Sequence, residues 1–188
     1  MPAWQHGERG FVMVPRGHKR LRQRFESLDV DADGLVERDE WVAQAWRILD
    51  ALGEPGTSPR AQAVVAAYQE MWNDIASKAG GANGALTLGQ FERAVQSLIV
   101  NPGDPDFSDV LRAAVTAVAK LFDRDAEGAV TPEGFATWMK AVGADASKAQ
   151  EAFRQIDADD DDDLTIDELM QAVRDYHAGR LAVSILGG

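Results

Sequence analysis

At 188 residues and 20.4 kDa the chain is long enough for one domain or two small lobes with a substantial core, and its 45% apolar residues exclude wholesale disorder. A net charge of −12 and an isoelectric point near 4.6 argue against nucleic acid as the main partner and suit a surface that collects cations. The absence of cysteine excludes disulfides, thiolate metal sites and a cysteine nucleophile.

In chain order a basic cluster comes first: Arg16, Lys19, Arg20, Arg22 and Arg24, read as a solvated helix face. Phe25 and Leu28 end that amphipathic segment, and Asp29–Glu40 follows with the spacing of an EF-hand calcium loop. Such a loop wants oxygen ligands at positions 1, 3 and 5, a glycine at 6, a backbone carbonyl at 7 and a bidentate glutamate at 12. Those places hold Asp29, Asp31, Asp33, Gly34, Leu35 and Glu40, and Val36 at position 8 is apolar, as a strand pairing with a second loop requires. A tightly wound loop is the means of gathering the roughly six to eight oxygens that so hard a cation takes.

Trp41, Ala45, Ile48, Leu49 and Leu52 line the helix leaving that loop. Ser58-Pro59 starts the next helix, an N-cap followed by proline at the first helical place. Val64, Val65, Tyr68, Met71, Trp72 and Ile75 form its apolar stripe, which runs into a second loop, Ala79–Gln90. Gly84 and Leu86 keep the shape of that loop, but Ala79 and Gly81 replace the first two carboxylates, so it is expected to bind nothing and to pair with the first loop around Val36 and Leu86. Asn101–Asp106, rich in proline and glycine, breaks the chain midway.

The third unit opens with an amphipathic helix over Phe107–Phe122 and continues into Asp123–Gly134. Asp123, Asp125, Glu127 and the Ala129 carbonyl are candidate ligands, yet Gly134 stands where the bidentate glutamate belongs, so water would have to replace it and binding would weaken. Phe153 and Ile156 precede the fourth loop, Asp157–Glu168, repeating the spacing of Phe25 and Leu28. Its candidate ligands are Asp157, Asp159, Asp161, the Asp163 carbonyl and Glu168. Asp162 occupies the glycine position, which calls for a left-handed backbone at a cost of roughly 1–2 kcal/mol in a residue with a Cβ. The aspartate run from Asp159 to Asp163 also repels itself, so metal binding is expected to order this loop. The apolar end Leu181–Leu186 is either an internal plug or a frayed terminus.

These signals give an all-α chain of four EF-hand helix–loop–helix units in two compact paired lobes, with short β-ribbons between paired loops. The expected bounds are 17–100 for the first pair, 106–178 for the second and 179–188 for the apolar tail. No leader-like apolar segment and no membrane-spanning run is present, so a cytoplasmic, monomeric protein is expected. His6, His18 and His177 lack zinc-site spacing, and no phosphate loop or nucleophile elbow occurs. The acidic pairs lie inside the loops, where a carboxylate is a ligand and not a general acid. An enzyme is not expected.

The order competent, empty, partly competent, competent, with the long Ala51–Arg60 insertion between the first two hands, resembles the sarcoplasmic calcium-binding proteins and the bacterial calerythrins. The resemblance spans about Gly17 to His177. It implies a compact helical protein that buffers calcium, with magnesium as a competitor, through the first, third and fourth loops. Photoproteins and luciferin-binding proteins share the layout; that likeness implies a cavity lined by residues drawn from Trp4, Trp41, Trp46, Trp72, Trp138, Tyr68, Tyr176, His18 and His177. A calmodulin-like sensor with an unknown target is the third reading, but Met71, Met139 and Met170 are few for a methionine-rich groove.

Overall fold

The computed structural model describes residues 16–80, 84–100, 105–122 and 129–186. In chain order these form α1 (Arg16–Leu28), β1 (Leu35–Glu37), α2 (Arg38–Leu52), α3 (Pro59–Ala79), β2 (Ala85–Thr87), α4 (Leu88–Val100), α5 (Pro105–Ala119), α6 (Pro132–Ala141), a 3-10 turn (Ala146–Lys148), α7 (Ala149–Ile156) and α8 (Ile166–His177). Each helix pair flanks a loop, as the all-α, four-hand reading expects.

Local chemistry sets the ends. Ser58 Oγ accepts from Ala61 N at 3.0 Å and Pro59 takes the first helical place of α3. Gly53 and Gly80 end α2 and α3 in the left-handed region, at φ of 65° and 66°. The helix expected over Phe107–Phe122 is shorter than its apolar periodicity: α5 stops at Ala119, and Leu121 N and Phe122 N donate to Val118 O and Ala119 O in a tightened final turn.

The paired loops meet as antiparallel ribbons. Val36 faces Leu86 at the centre of β1–β2, flanked by Leu35 opposite Thr87 and Glu37 opposite Ala85. In the second half the ribbon shrinks to one bridge, Val130 and Leu164 exchanging two N–H···O bonds of 2.9 Å each. All four of these position-8 residues are buried, so each loop is pinned to the core beneath it.

Two apolar clusters make the interior. In the first, Trp41 lies 6.1 Å from Trp72, 6.3 Å from Tyr68 and 6.5 Å from Phe91, and its indole N–H donates to the Tyr68 carbonyl at 3.0 Å. The second gathers Phe135, Phe153, Met139, Leu164 and Tyr176. Trp138 packs against both clusters, and α5 lies along α3, so the halves share an interface.

The tail is a plug. Leu181, Val183 and Ile185 are all buried in the second cluster. This revises the reading of the basic cluster as a solvated face for Arg20 and Arg24, while Lys19 and Arg22 are exposed as expected. Arg20 Nη1 donates to Tyr176 O at 2.9 Å, its guanidinium lies 4.9 Å from the Tyr176 ring, and Arg24 Nη1 donates to Leu186 O at 2.9 Å. Tyr176 O also accepts from Gly179 N at 3.0 Å, so α1 adds a second donor there and a donor to the tail at Leu186.

Candidate metal centres

In the first loop the carboxylate oxygens of Asp29, Asp31 and Glu40 come within 4.8 Å of one another. Asp29 organises the turn: its Oδ1 accepts from Asp33 N at 3.1 Å and its Oδ2 from Gly34 N at 3.0 Å. Asp33 lies outside that trio and accepts from Leu35 N at 2.8 Å. Gly34 takes φ of 85°, the left-handed geometry for which glycine is suited, and Ala32 sits at 59°.

Glu40 is held from behind. Its Oε1 accepts from Val30 N at 2.8 Å and its Oε2 from Glu37 N at 3.0 Å. Glu168 repeats this in the fourth loop, accepting from Ala158 N at 2.8 Å, Thr165 N at 2.9 Å and Thr165 Oγ1 at 2.8 Å. Burial works against the Glu168 anion, but these donors outweigh it and hold the carboxyl below its ordinary value. The same bonds close capping boxes at the N-termini of α2 and α8. Thr165-x-x-Glu168 carries that signature openly, a signal the ligand spacing alone passes over.

The fourth loop converges on Asp157, Asp159 and Asp161, whose oxygens also lie within 4.8 Å. Asp157 is the buried charged residue of the described core, and its Oδ1 has no hydrogen-bond partner. Loss of solvent and the charges of Asp161, Glu168 and Asp157 raise the Asp159 carboxyl above its ordinary value. Like charges packed this closely, one of them buried and unsatisfied, fit a divalent cation that would neutralise them. Asp162 adopts φ of 65° and Asp160 57°, so the expected left-handed aspartate is present. Asp163 N bonds to Asp161 Oδ1 at 3.0 Å, fixing the turn that carries the position-7 carbonyl.

The second loop has no such trio among its described residues. Gly84 keeps φ of 74°, and Gln90 accepts from Thr87 N at 3.0 Å as the glutamates do, preserving the loop frame without the charge. Of the third loop, Asp123, Asp125 and Glu127 lie outside the described residues, while Ala129 is half-buried beside the bridge residue Val130. Thr131 caps α6 by accepting from Gly134 N at 3.2 Å, half of the box that a glutamate would complete. Gly134 is closely surrounded: a Cβ there would lie 3.1 Å from Phe122 Cβ and 3.4 Å from Val130 Cγ1.

No protein-family model matches the chain. Calerythrin from Saccharopolyspora erythraea is 36% identical over 169 residues, spanning 89% of this chain and 96% of that one. The chain belongs to the calerythrin-like EF-hand calcium-binding proteins. A Streptomyces coelicolor calcium-binding protein, whose structure was presented as a basis for prokaryotic calcium-mediated regulation, matches this calerythrin-like chain with a TM-score of 0.73. It is 26% identical, and the match covers 86% of this chain and 98% of that one. The photoprotein clytin shares the fold at TM-score 0.72 and 20% identity, over 93% of this chain and 96% of its own. Of the nine aromatic and imidazole groups named for a luciferin cavity, Trp41, Tyr68, Trp138 and His177 line one cavity of the calerythrin-like chain. Trp72, Trp46, Tyr176 and His18 do not line it, and Trp4 lies outside the described residues.

Proposed function

We propose that this protein is a calcium buffer with two main sites. Asp29, Asp31, Asp33, the Leu35 carbonyl and Glu40 form one; Asp157, Asp159, Asp161, the Asp163 carbonyl and Glu168 form the other. Their carboxylates act as ligands and not as acids or bases of a reaction. Residues 17–100 and 106–178 act as two paired-hand lobes of one monomer that works in the cytoplasm. Magnesium competes for both loops, since each offers only hard oxygen ligands. The third loop, deprived of the position-12 carboxylate, contributes a weaker site.

The observation carrying the buffer reading is the disposal of apolar surface. Among the described residues the large hydrophobic side chains left exposed are Val30 and Trp46. A sensor needs an apolar face to present, whereas here the lobes and tail cover one another. Among the described residues no helix is long and apolar enough to cross a membrane.

A calorimetric calcium titration with and without millimolar magnesium tests this. Two or three sites weakened by magnesium support a buffer. Sites indifferent to magnesium, with a rise in hydrophobic-dye binding on calcium addition, would replace it with a sensor. The regulation ascribed to the Streptomyces coelicolor relative favours that second reading.

A further inference from the structure

A cavity of about 160 Å³ lies between the two clusters, walled by Trp41, Phe91, Leu111, Phe135 and Trp138 among other apolar groups. An apolar cavity of ~150 Å³ in another protein admits benzene, so this space suits a small organic molecule. Three basic groups interrupt its wall: Arg24 from α1, and Arg174 and His177, one turn apart on α8.

The basic groups lack counter-charge. Arg24 donates to the Leu186 carbonyl and to the Gln44 side chain, and Arg174 to Ser108 Oγ at 3.3 Å. Among the described residues no carboxylate pairs with either; the ion pairs present use His18, Lys78, Arg112 and Arg180. A guanidinium does not shed its proton, so each stays cationic, and a charge lining an apolar space without a partner is costly. Burial pulls Arg24 below its ordinary value, with Arg47 adding to that effect. His177 Nδ1 is buried with no partner. Burial, then the charges of Arg24 and Arg20, push His177 down to about 3, so it is neutral and free to form a hydrogen bond without adding charge.

Two cations with no carboxylate partner among the described residues and an idle imidazole nitrogen, lining a mostly apolar cavity, suit an anion with an apolar body. We propose that the interlobe cavity binds a small aromatic or aliphatic monocarboxylate. Its carboxylate is held by Arg24 and Arg174 with His177 as hydrogen-bond partner, and its body rests against Trp41, Phe91 and Trp138. This site is separate from the metal loops. The tail residues Ile185 and Leu186 form part of its wall.

Calorimetric titration of the full chain with phenylacetate and octanoate, each beside its uncharged amide, is the test, run with calcium and with chelator. Saturable one-to-one binding of at least one acid in either condition, about tenfold or more tighter than its amide, is expected. Arg24→Met and Arg174→Met should each weaken that acid about tenfold and leave its amide unchanged, in chains whose circular dichroism matches the unsubstituted protein. Absence of acid binding at millimolar concentration overturns the proposal. So does equal binding of acid and amide, a comparison that needs no variant and so survives a substitution that unfolds the protein.

Discussion

Single backbone angles carry much of the fourth loop's character. Asp162 stands at φ of 65° in a place built for glycine, at a cost of roughly 1–2 kcal/mol that falls on the ordered loop. The strain falls on the folded loop, so Asp162→Gly should tighten calcium binding there by about fivefold or more, read by calorimetry. Unchanged or weaker binding would count against strain as the cause. The angle was legible in the sequence because an EF-hand loop fixes which residue must turn left-handed. The crowding at Gly134 was not. Gly134 reads there as a missing ligand, but Phe122 and Val130 also close in on its α-carbon, and such proximity depends on how α5 ends.

At the scale of helices and loops, Glu40 and Glu168 each serve twice, as candidate ligand and as the returning half of a capping box. Glutamine can still accept the loop's N–H bonds but lacks the charge. Glu40→Gln and Glu168→Gln should therefore each remove one calcium site from the titration while helix content stays close to that of the unsubstituted chain. A double variant that kept both sites would overturn the ligand assignment. Gln90, which already closes such a frame in the second loop, shows that the geometry tolerates the exchange. The loops and their helices were readable because their chemistry is local, each ligand lying within twelve residues of its partners. The clamp of Arg20 and Arg24 on the tail was hidden, since its acceptors are backbone carbonyls, which every residue has. Deleting residues 179–188 removes Leu181, Val183 and Ile185 from the core and should raise hydrophobic-dye binding in the calcium-loaded state. No rise would show that the surface beneath the tail stays covered without it.

For the molecule as a whole, the neutral His177 beneath the tail couples stability to pH. Its folded value of about 3 lies below the 6.5 of an exposed imidazole, so the unfolded chain takes up the proton first. Stability is fully present above pH 6.5 and is lost as pH falls from there toward 3. Between pH 7 and pH 5 the unfolding free energy should drop by up to about 2 kcal/mol more in the unsubstituted chain than in His177→Gln, measured by urea titration. Equal drops would show that the imidazole is protonated in the folded state.

The clamp between α1 and the tail also bears on how the chain is made. Arg24 lies five residues before Asp29, yet the carbonyl it holds comes 162 residues later. At ordinary rates of synthesis that interval is on the order of ten to thirty seconds. The hold of Arg24 on Leu186 therefore forms only after the first metal loop has left the ribosome, whereas Leu21, Phe25 and Leu28 of the entering helix pack against partners made much earlier.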